Sequence, residues 1–75
     1  MKHPIQLKTG KYQHYKGKYY KVISTARHSE TLETFVVYQQ LYGNFSLWIR
    51  PYDMFVEQLL IDGKTIQRFK FIAEE

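Results

Sequence analysis

The densest group of reactive side-chain types lies in one short polar segment, residues 26–31. It contains the cation Arg27, the imidazole of His28, two hydroxyls and the carboxylate of Glu30. Because the segment separates two predicted strands, we expect a loop, and loops on a rigid scaffold often carry binding groups. The segment predicts a site for a polar or anionic ligand formed by Arg27, His28, Ser29 and Glu30. The alternative is a loop whose hydroxyls only hydrogen-bond its own backbone.

Catalysis by this segment is the weaker interpretation. A triad needs its nucleophile, base and orienting group in line, whereas consecutive residues in extended backbone point to opposite sides. The protein is therefore predicted not to be an enzyme, and a small enzyme or enzyme subunit using His28 is the alternative. The three histidines match no zinc-ligand spacing and the sequence has no cysteine, so no metal site and no cofactor are predicted.

A second group interleaves lysines with tyrosines between residues 11 and 21. Single-stranded nucleic acids are bound by this combination, since lysine neutralises phosphate and aromatic rings stack on bases. The competing interpretation is structural, because tyrosine favours strands and lysine protects sheet edges. The nucleic-acid-binding residues that this group predicts are Lys11, Tyr12, Lys16, Lys18, Tyr19 and Lys21.

Aromatic residues in the middle of the chain form a third group. Tyr38, Trp48 and Arg50 are assigned to the predicted ligand site, because a guanidinium can bind a carboxylate or phosphate through two N–H groups. The leading hypothesis is a binding module for nucleic acid or another polar or anionic ligand. Exposed rings on one face of a small barrel can also hold an extended peptide, so a protein or peptide partner is the alternative. The sequence does not specify the oligomeric state.

Most of the chain has the composition of strands joined by tight turns. Residues that favour extended backbone, such as tyrosine, valine and isoleucine, are concentrated between turn signals. The adjacent residues Val22 and Ile23 break the alternation of polar and apolar positions, which predicts a bulge or local burial of both faces. The predicted strands cover residues 11–15, 18–27, 34–40, 46–50, 57–61 and 65–72.

The segment from residue 51 to residue 60 fits two structures. Its apolar residues recur with the spacing of one helix face, yet the dipeptide Asp62-Gly63 is a hairpin signal that needs a strand before it. We expect a single helical turn over residues 51–55 followed by a strand. A full helix through Leu60 is the alternative.

The composition limits the chain to one small domain. Its 75 residues are 44% hydrophobic and 17% aromatic, and none is a cysteine that could form a disulfide. We expect an N-terminal arm over residues 1–9 and a single domain over residues 10–75. Because a small sheet must hide its edges, the predicted fold class is all-β, a small SH3-like β-barrel of about five to six short strands with one short helical turn. An α+β sheet with one helix is the alternative.

The charge is distributed unevenly along the chain. Residues 1–28 carry seven Lys or Arg and no Asp or Glu, whereas residues 29–75 carry four basic and seven acidic residues. This asymmetry predicts a positive face that attracts anions, although excess charge also serves solubility.

No apolar run is long enough to cross a membrane and no signal peptide is recognisable, so a cytoplasmic protein without a membrane partner is predicted.

Several segments, taken together with their spacing, resemble the bacterial family known as domain of unknown function 1653. The resemblance extends from residue 10 to residue 72 and implies a compact SH3-like β-barrel. It implies no reaction, because the family has no assigned activity. The matching segments are residues 10–17, Tyr20, Val22, residues 26–31, Val37-Tyr38, Leu41-Tyr42-Gly43, Trp48, Arg50-Pro51, Met54-Phe55, Asp62-Gly63 and Phe69.

Overall fold

Seven strands and one helical turn make up the part of the chain that the computed structural model describes, residues 7–74. Most of the arm predicted over residues 1–9 therefore lies outside the described residues. The helix, the only one between residues 7 and 74, is too short to cross a membrane. The elements are β1 Gly10–His14, β2 Tyr19–Arg27, β3 Thr34–Gln40, β4 Leu47–Pro51, α1 Tyr52–Phe55, β5 Gln58–Ile61, β6 Lys64–Gln67 and β7 Phe69–Ala73.

The strands form two antiparallel sheets. Five of them make one sheet in the order β4-β3-β2-β1-β7, and β5 pairs with β6 in a separate hairpin. The prediction of an all-β fold with one short helical turn is confirmed. The predicted barrel is not closed, however, because within residues 7–74 the large sheet ends in two edge strands, β4 and β7.

The seventh strand arises because the segment predicted as one strand over residues 65–72 divides at Arg68. The Arg68 N–H donates to the Glu57 carbonyl at 3.0 Å, which ties it to the base of the hairpin. The Arg68 carbonyl accepts the Tyr15 N–H at 2.9 Å, which ties it to the end of β1. The chain thus leaves one sheet and joins the other at this residue.

Local sequence signals account for most of the element boundaries. The helical turn ends at Phe55 and a strand follows, as expected. Asp62 and Gly63 both have positive φ, 50° and 76°, which is the geometry of a two-residue hairpin turn. The irregularity expected at Val22 and Ile23 is present as a register shift between Val22 and Ser24 in the pairing of β2 with β3.

The core lies on one face of the large sheet, called the inner face below, and is built mainly from aromatic rings. Phe55 of the helical turn and Phe69 of β7 stack with their ring centroids 4.1 Å apart and their planes at 5°. Large rings bury much area per residue, which compensates for the small number of residues available. The buried residues are Tyr12, Val22, Val36, Tyr38, Phe55 and Phe69.

Candidate ligand-binding site

A pocket opens on the inner face of the large sheet, at the end where β2 begins and β3 ends. The register places Tyr20 opposite Gln40 and Tyr38 opposite Trp48. Since residues two apart in a strand share a face, Arg50 projects on the same side as Trp48. The pocket has a volume of about 220 Å³. Its lining, called the aromatic–arginine pocket below, consists of Tyr20, Tyr38, Gln40, Tyr42, Trp48 and Arg50.

Hydrogen bonds among the lining side chains fix the shape of the pocket. The hydroxyls of Tyr20 and Tyr42 are 2.6 Å apart, and the indole N–H of Trp48 donates to Gln40 Oε1 at 2.7 Å. Gln40 in turn donates through Nε2 to the Tyr42 carbonyl at 3.1 Å. Trp48 is 52% exposed. Because its N–H is already bonded, the face of its ring is what remains for a ligand to contact.

The charged groups at the pocket are cations. Arg50 Nε donates to the Tyr38 hydroxyl in a long hydrogen bond of 3.4 Å, and its guanidinium carbon lies 5.6 Å from the centroid of the Phe69 ring. Lys18 Nζ lies 4.6 Å from the centroid of the Tyr42 ring. Among residues 7–74, no carboxylate lines the pocket. Its electrostatic character therefore suits an anionic group.

The hydroxyl of Tyr20 stays protonated at neutral pH. Burial, reinforced by the hydrogen bond with Tyr42, raises the pKa of Tyr20 to about 12. At neutral pH one of the two paired hydroxyls donates to the other, and the second hydroxyl proton remains available. The pair can therefore offer one hydrogen-bond donor to a ligand in the pocket.

The seven residues predicted as one ligand site do not converge. Tyr38, Trp48 and Arg50 meet in the aromatic–arginine pocket. The other four belong to the end of β2 and the loop after it, at the opposite end of that strand from Tyr20. The registers place Arg27 opposite Thr34 and Arg50 opposite Val36, two residues apart on β3, so Arg27 and the loop lie beyond Arg50 and outside the lining of the pocket. The four are Arg27, His28, Ser29 and Glu30.

Polar groups of this loop largely satisfy one another. His28 Nδ1 accepts the N–H groups of Glu30 at 3.2 Å and Thr31 at 3.3 Å. Thr31 Oγ1 accepts the Glu33 N–H at 3.2 Å, and the Glu33 carbonyl accepts the His28 N–H at 2.8 Å. The loop therefore agrees closely with the alternative given above, in which side chains of the segment hydrogen-bond only its own backbone. The side-chain acceptors are the imidazole of His28 and the hydroxyl of Thr31.

The six residues predicted to bind nucleic acid also divide between surfaces. Tyr12 is only 5% exposed, and its hydroxyl donates to the Lys8 carbonyl at 2.7 Å. It belongs to the core because it projects to the inner face, so its ring is not exposed for stacking on a base. Lys18 borders the pocket. By alternation Lys11, Tyr19 and Lys21 project to the outer face, and Lys16 lies in the turn between β1 and β2.

Three lining residues were not among the predicted site residues, namely Tyr20, Gln40 and Tyr42. Gln40 follows Tyr38 by two positions in a strand, so alternation places both on one face. Tyr20 joins them only through the pairing of β2 with β3. That pairing register is the signal that would have identified Tyr20 and Gln40, whereas Tyr42 follows the end of β3 and reaches the pocket through its hydroxyl contact with Tyr20.

Other parts of the described chain offer less for ligand recognition. A larger cavity of about 340 Å³ lies between Leu7, Lys8 and the aromatic rings of the core. Its walls are mainly the apolar side chains that stabilise the fold, with few polar groups to orient a ligand. Between residues 7 and 74, no three His, Asp or Glu side chains form a group that could hold a metal ion.

Fold and pocket together define a small all-β domain with an open antiparallel sheet and a cationic, aromatic pocket. A family model described as protein of unknown function (DUF1653) matches residues 10–71, so the chain belongs to the DUF1653 family. It is similar to the crystal structure of a DUF1653 protein from Bordetella bronchiseptica, with a TM-score of 0.82 and 30% sequence identity. The similarity covers 92% of this chain and 91% of that chain. No curated protein matches the sequence.

Proposed function

We propose that this protein is a non-enzymatic binding module that holds single-stranded nucleic acid at the aromatic–arginine pocket. The supporting observation is the placement of an exposed ring, Trp48, and two cations, Arg50 and Lys18, around a pocket without a lining carboxylate. Proteins that bind single strands combine these two elements, since rings stack on bases and cations track the phosphates.

The charge of the pocket argues for an anionic ligand over a cationic one. Clusters of tyrosine and tryptophan can form cages for quaternary ammonium groups, which are attracted to the faces of the rings. Here the guanidinium of Arg50 is part of the lining and Lys18 already lies over Tyr42. A cationic ligand would be repelled by both groups, whereas a phosphate would be attracted.

Four of the six lining residues, together with Lys18, have a direct role in this proposal. The exposed face of Trp48 stacks on one base, and the neighbouring phosphate lies against Arg50 and Lys18. The remaining hydroxyl proton of the Tyr20–Tyr42 pair donates to an acceptor on the base edge. Because one ring and two cations can contact only one or two nucleotides, binding is expected to be weak and to depend strongly on salt.

Fluorescence titration provides the test, because Trp48 is the only tryptophan in the chain. A short single-stranded oligothymidylate is added to the full-length protein at low and at moderate salt. We expect saturable quenching of Trp48 emission at low salt, with an affinity that falls as salt rises. Absence of quenching at low salt would contradict the proposal.

Replacement of Arg50 by Gln removes one phosphate contact while keeping a polar side chain of similar length. Loss of one contact to a single strand is expected to reduce the slope of log affinity against log salt by about 0.7. The matched control is Lys64→Gln, since Lys64 is an exposed cation on β6. An equal effect of both substitutions would indicate nonspecific attraction to net charge and would contradict a role for the pocket.

A peptide ligand is distinguished by the same assay. An extended peptide bound at Trp48 would quench the emission with little dependence on salt, because its contacts are apolar and main-chain contacts. Salt-independent quenching by peptides without quenching by the oligonucleotide would overturn the nucleic-acid proposal.

A further inference from the structure

The outer edge of β4 has the features of a strand that pairs with another strand. Within residues 7–74, β4 has β3 on one side and no strand on the other. Three consecutive residues of this edge are large and well exposed, with Leu47 at 62%, Trp48 at 52% and Ile49 at 64%. Such an edge is normally protected by charged side chains, especially lysine, by proline or by a bulge. In β4 the charged residue and the proline are the last two, Arg50 and Pro51, whereas Leu47, Trp48 and Ile49 include neither, and the register with β3 is regular.

The other edge strand of the sheet, β7, is protected. It carries Lys70 in its second position. Its pairing with β1 also contains a register shift between Lys11 and Tyr12. The two edges therefore differ in the devices that prevent strand addition, and β4 is the open one.

The direction of the β4 backbone groups follows from one hydrogen bond. The Gln40 N–H donates to the Ser46 carbonyl at 3.0 Å, so residues 40 and 46 form a hydrogen-bonded pair with β3. Hydrogen-bonded and non-hydrogen-bonded pairs alternate along an antiparallel ladder. The unbroken register then makes Trp48 and Arg50 the residues that bond to β3.

The remaining β4 residues turn their backbone groups outward. The N–H and carbonyl groups of Leu47 and Ile49 point away from β3. Pro51 belongs to the same set and contributes only a carbonyl, because proline has no N–H. The edge therefore presents two donors and three acceptors.

We propose that two copies of this chain associate through antiparallel pairing of β4 with β4 of the second copy, centred on Ile49. In this register each Ile49 N–H donates to the Ile49 carbonyl of the second copy. Each Leu47 N–H donates to the Pro51 carbonyl opposite it. Every outward N–H of β4 is then bonded, and Pro51, which has no N–H, takes part only as an acceptor.

Side chains on both faces are compatible with this pairing. On the outer face Ile49 lies opposite Ile49 of the second copy, so two exposed apolar side chains cover each other. On the inner face Trp48 lies opposite Arg50 of the second copy. The Arg50 guanidinium, which packs on Phe69 of its own chain, can turn to this exposed indole ring at two places in the dimer. The self-complementary strand favours a second copy over an unrelated partner, since one two-fold axis satisfies both halves of the contact.

Sedimentation velocity of the full chain without ligand tests the proposal. Because no ligand is present, failure of nucleic-acid binding does not affect the result. We expect the apparent mass to rise from the 9.1 kDa of one chain to twice that value as the protein concentration increases from micromolar to millimolar. A single species of one-chain mass over this whole range would overturn the proposal and leave the edge to a different partner.

Substitutions locate the contact. Ile49→Lys places two ammonium groups opposite each other at the symmetry axis and is expected to abolish the dimer. The matched control is Ile72→Lys on β7, where a 42%-exposed apolar residue receives the same charge at the other edge. We expect this control to retain the dimer. Loss of the dimer in the control with retention in Ile49→Lys would overturn the proposal.

A second variant addresses the backbone directly. Ile49→Pro removes the central outward N–H while leaving the β3–β4 hydrogen bonds in place, because edge strands tolerate proline where the N–H faces solvent. We expect a monomer with a circular dichroism spectrum like that of the unsubstituted protein. A folded Ile49→Pro variant that still dimerises would contradict pairing through β4.

Discussion

His14 illustrates how strongly the surroundings of one side chain determine its chemistry. Its ring packs edge-on against Phe69 at 4.9 Å between centroids, and its Nδ1 accepts the Lys16 N–H at 3.2 Å. Burial is the main cause that lowers the pKa of His14 below 6.5, and the nearby cations Arg50, Arg68 and Lys16 lower it further. The neutral imidazole is therefore the form that the fold favours.

The stability of the protein should consequently depend on pH through His14. As pH falls below about 6.5, the unfolded chain binds a proton at this residue before the folded chain does. The free energy of unfolding is thus expected to decrease with falling pH until the folded-state pKa is also passed. Urea unfolding between about pH 8 and about pH 5, the range in which histidine titrates, measures this slope.

His14→Phe provides the comparison, because phenylalanine retains an aromatic ring against Phe69 but cannot bind a proton. We expect the variant to show a smaller decrease in stability over the same pH range. An unchanged slope would show that other groups are responsible for the pH dependence.

At the scale of elements, the single helical turn covers part of the inner face of the sheet with one buried ring. It is only four residues long, yet Phe55 is 1% exposed and stacks on Phe69 of β7. The same ring contacts Tyr12 of β1, with centroids 5.6 Å apart. This one side chain therefore connects β1 and β7, at one edge of the sheet, to the segment that follows β4 at the other edge.

Phe55→Ala is expected to destabilise the fold by about 3–5 kcal/mol, the usual range for removal of a buried ring. The neighbouring Met54, which is 48% exposed on the same turn, provides the matched control. Met54→Ala should change the free energy of unfolding by no more than about 0.5 kcal/mol. Urea unfolding of both variants checks the difference. Equal effects would show that burial of Phe55 does not stabilise the fold more than the exposed Met54 does.

Gly10 sets the contact between β1 and the end of β7. A Cβ at this position would lie 2.4 Å from the Ala73 carbonyl oxygen, and Gly10 has a φ of 131°. Gly17 also has a positive φ, 105°, but a Cβ there would meet nothing within 4 Å. The two glycines therefore share unusual backbone geometry and differ in steric crowding.

Gly10→Ala is expected to cost more stability than Gly17→Ala, because only the first forces the two strands apart. The difference should be about 1–3 kcal/mol, the usual cost of overpacking. Thermal or urea unfolding of the two variants measures it. Equal destabilisation would assign the whole effect to backbone strain.

For the whole molecule, two pockets differ in the charge of their linings. Arg50 lines the aromatic–arginine pocket and Lys18 lies over its Tyr42 ring. Glu33 and Asp53 line a separate small pocket beside the loop between β2 and β3. This difference would orient an approaching anion toward the aromatic–arginine pocket.

An antiparallel β4 dimer would extend the sheet across both copies. The two aromatic–arginine pockets would then lie on the same inner face, one on each side of the two-fold axis. Each pocket would gain Arg50 of the second copy next to its Trp48. Nucleic-acid binding and dimer formation would thus involve neighbouring parts of one surface, although each is tested by itself.

The sequence by itself determined the elements and several of their boundaries. The strand over residues 34–40, the bulge after Val22, the single helical turn and the turn at Asp62-Gly63 all follow from local preferences. Alternation, turn chemistry and helical spacing act between residues a few positions apart, so they can be recognised in the chain itself. The family resemblance was also recognisable at this level.

Only the tertiary structure decided which faces meet and where the sheet ends. Tyr12 and Tyr19 have the same side chain, but the pairing of β1 with β2 and β7 buries the first and leaves the second exposed. Tyr20, Gln40 and Trp48 come together only because the β2–β3 and β3–β4 registers align them. Register depends on pairing between distant segments, and a shift of one residue reverses the faces. For this reason local patterns indicated only Tyr38, Trp48 and Arg50 of the pocket, and they indicated neither its other lining residues nor the open β4 edge.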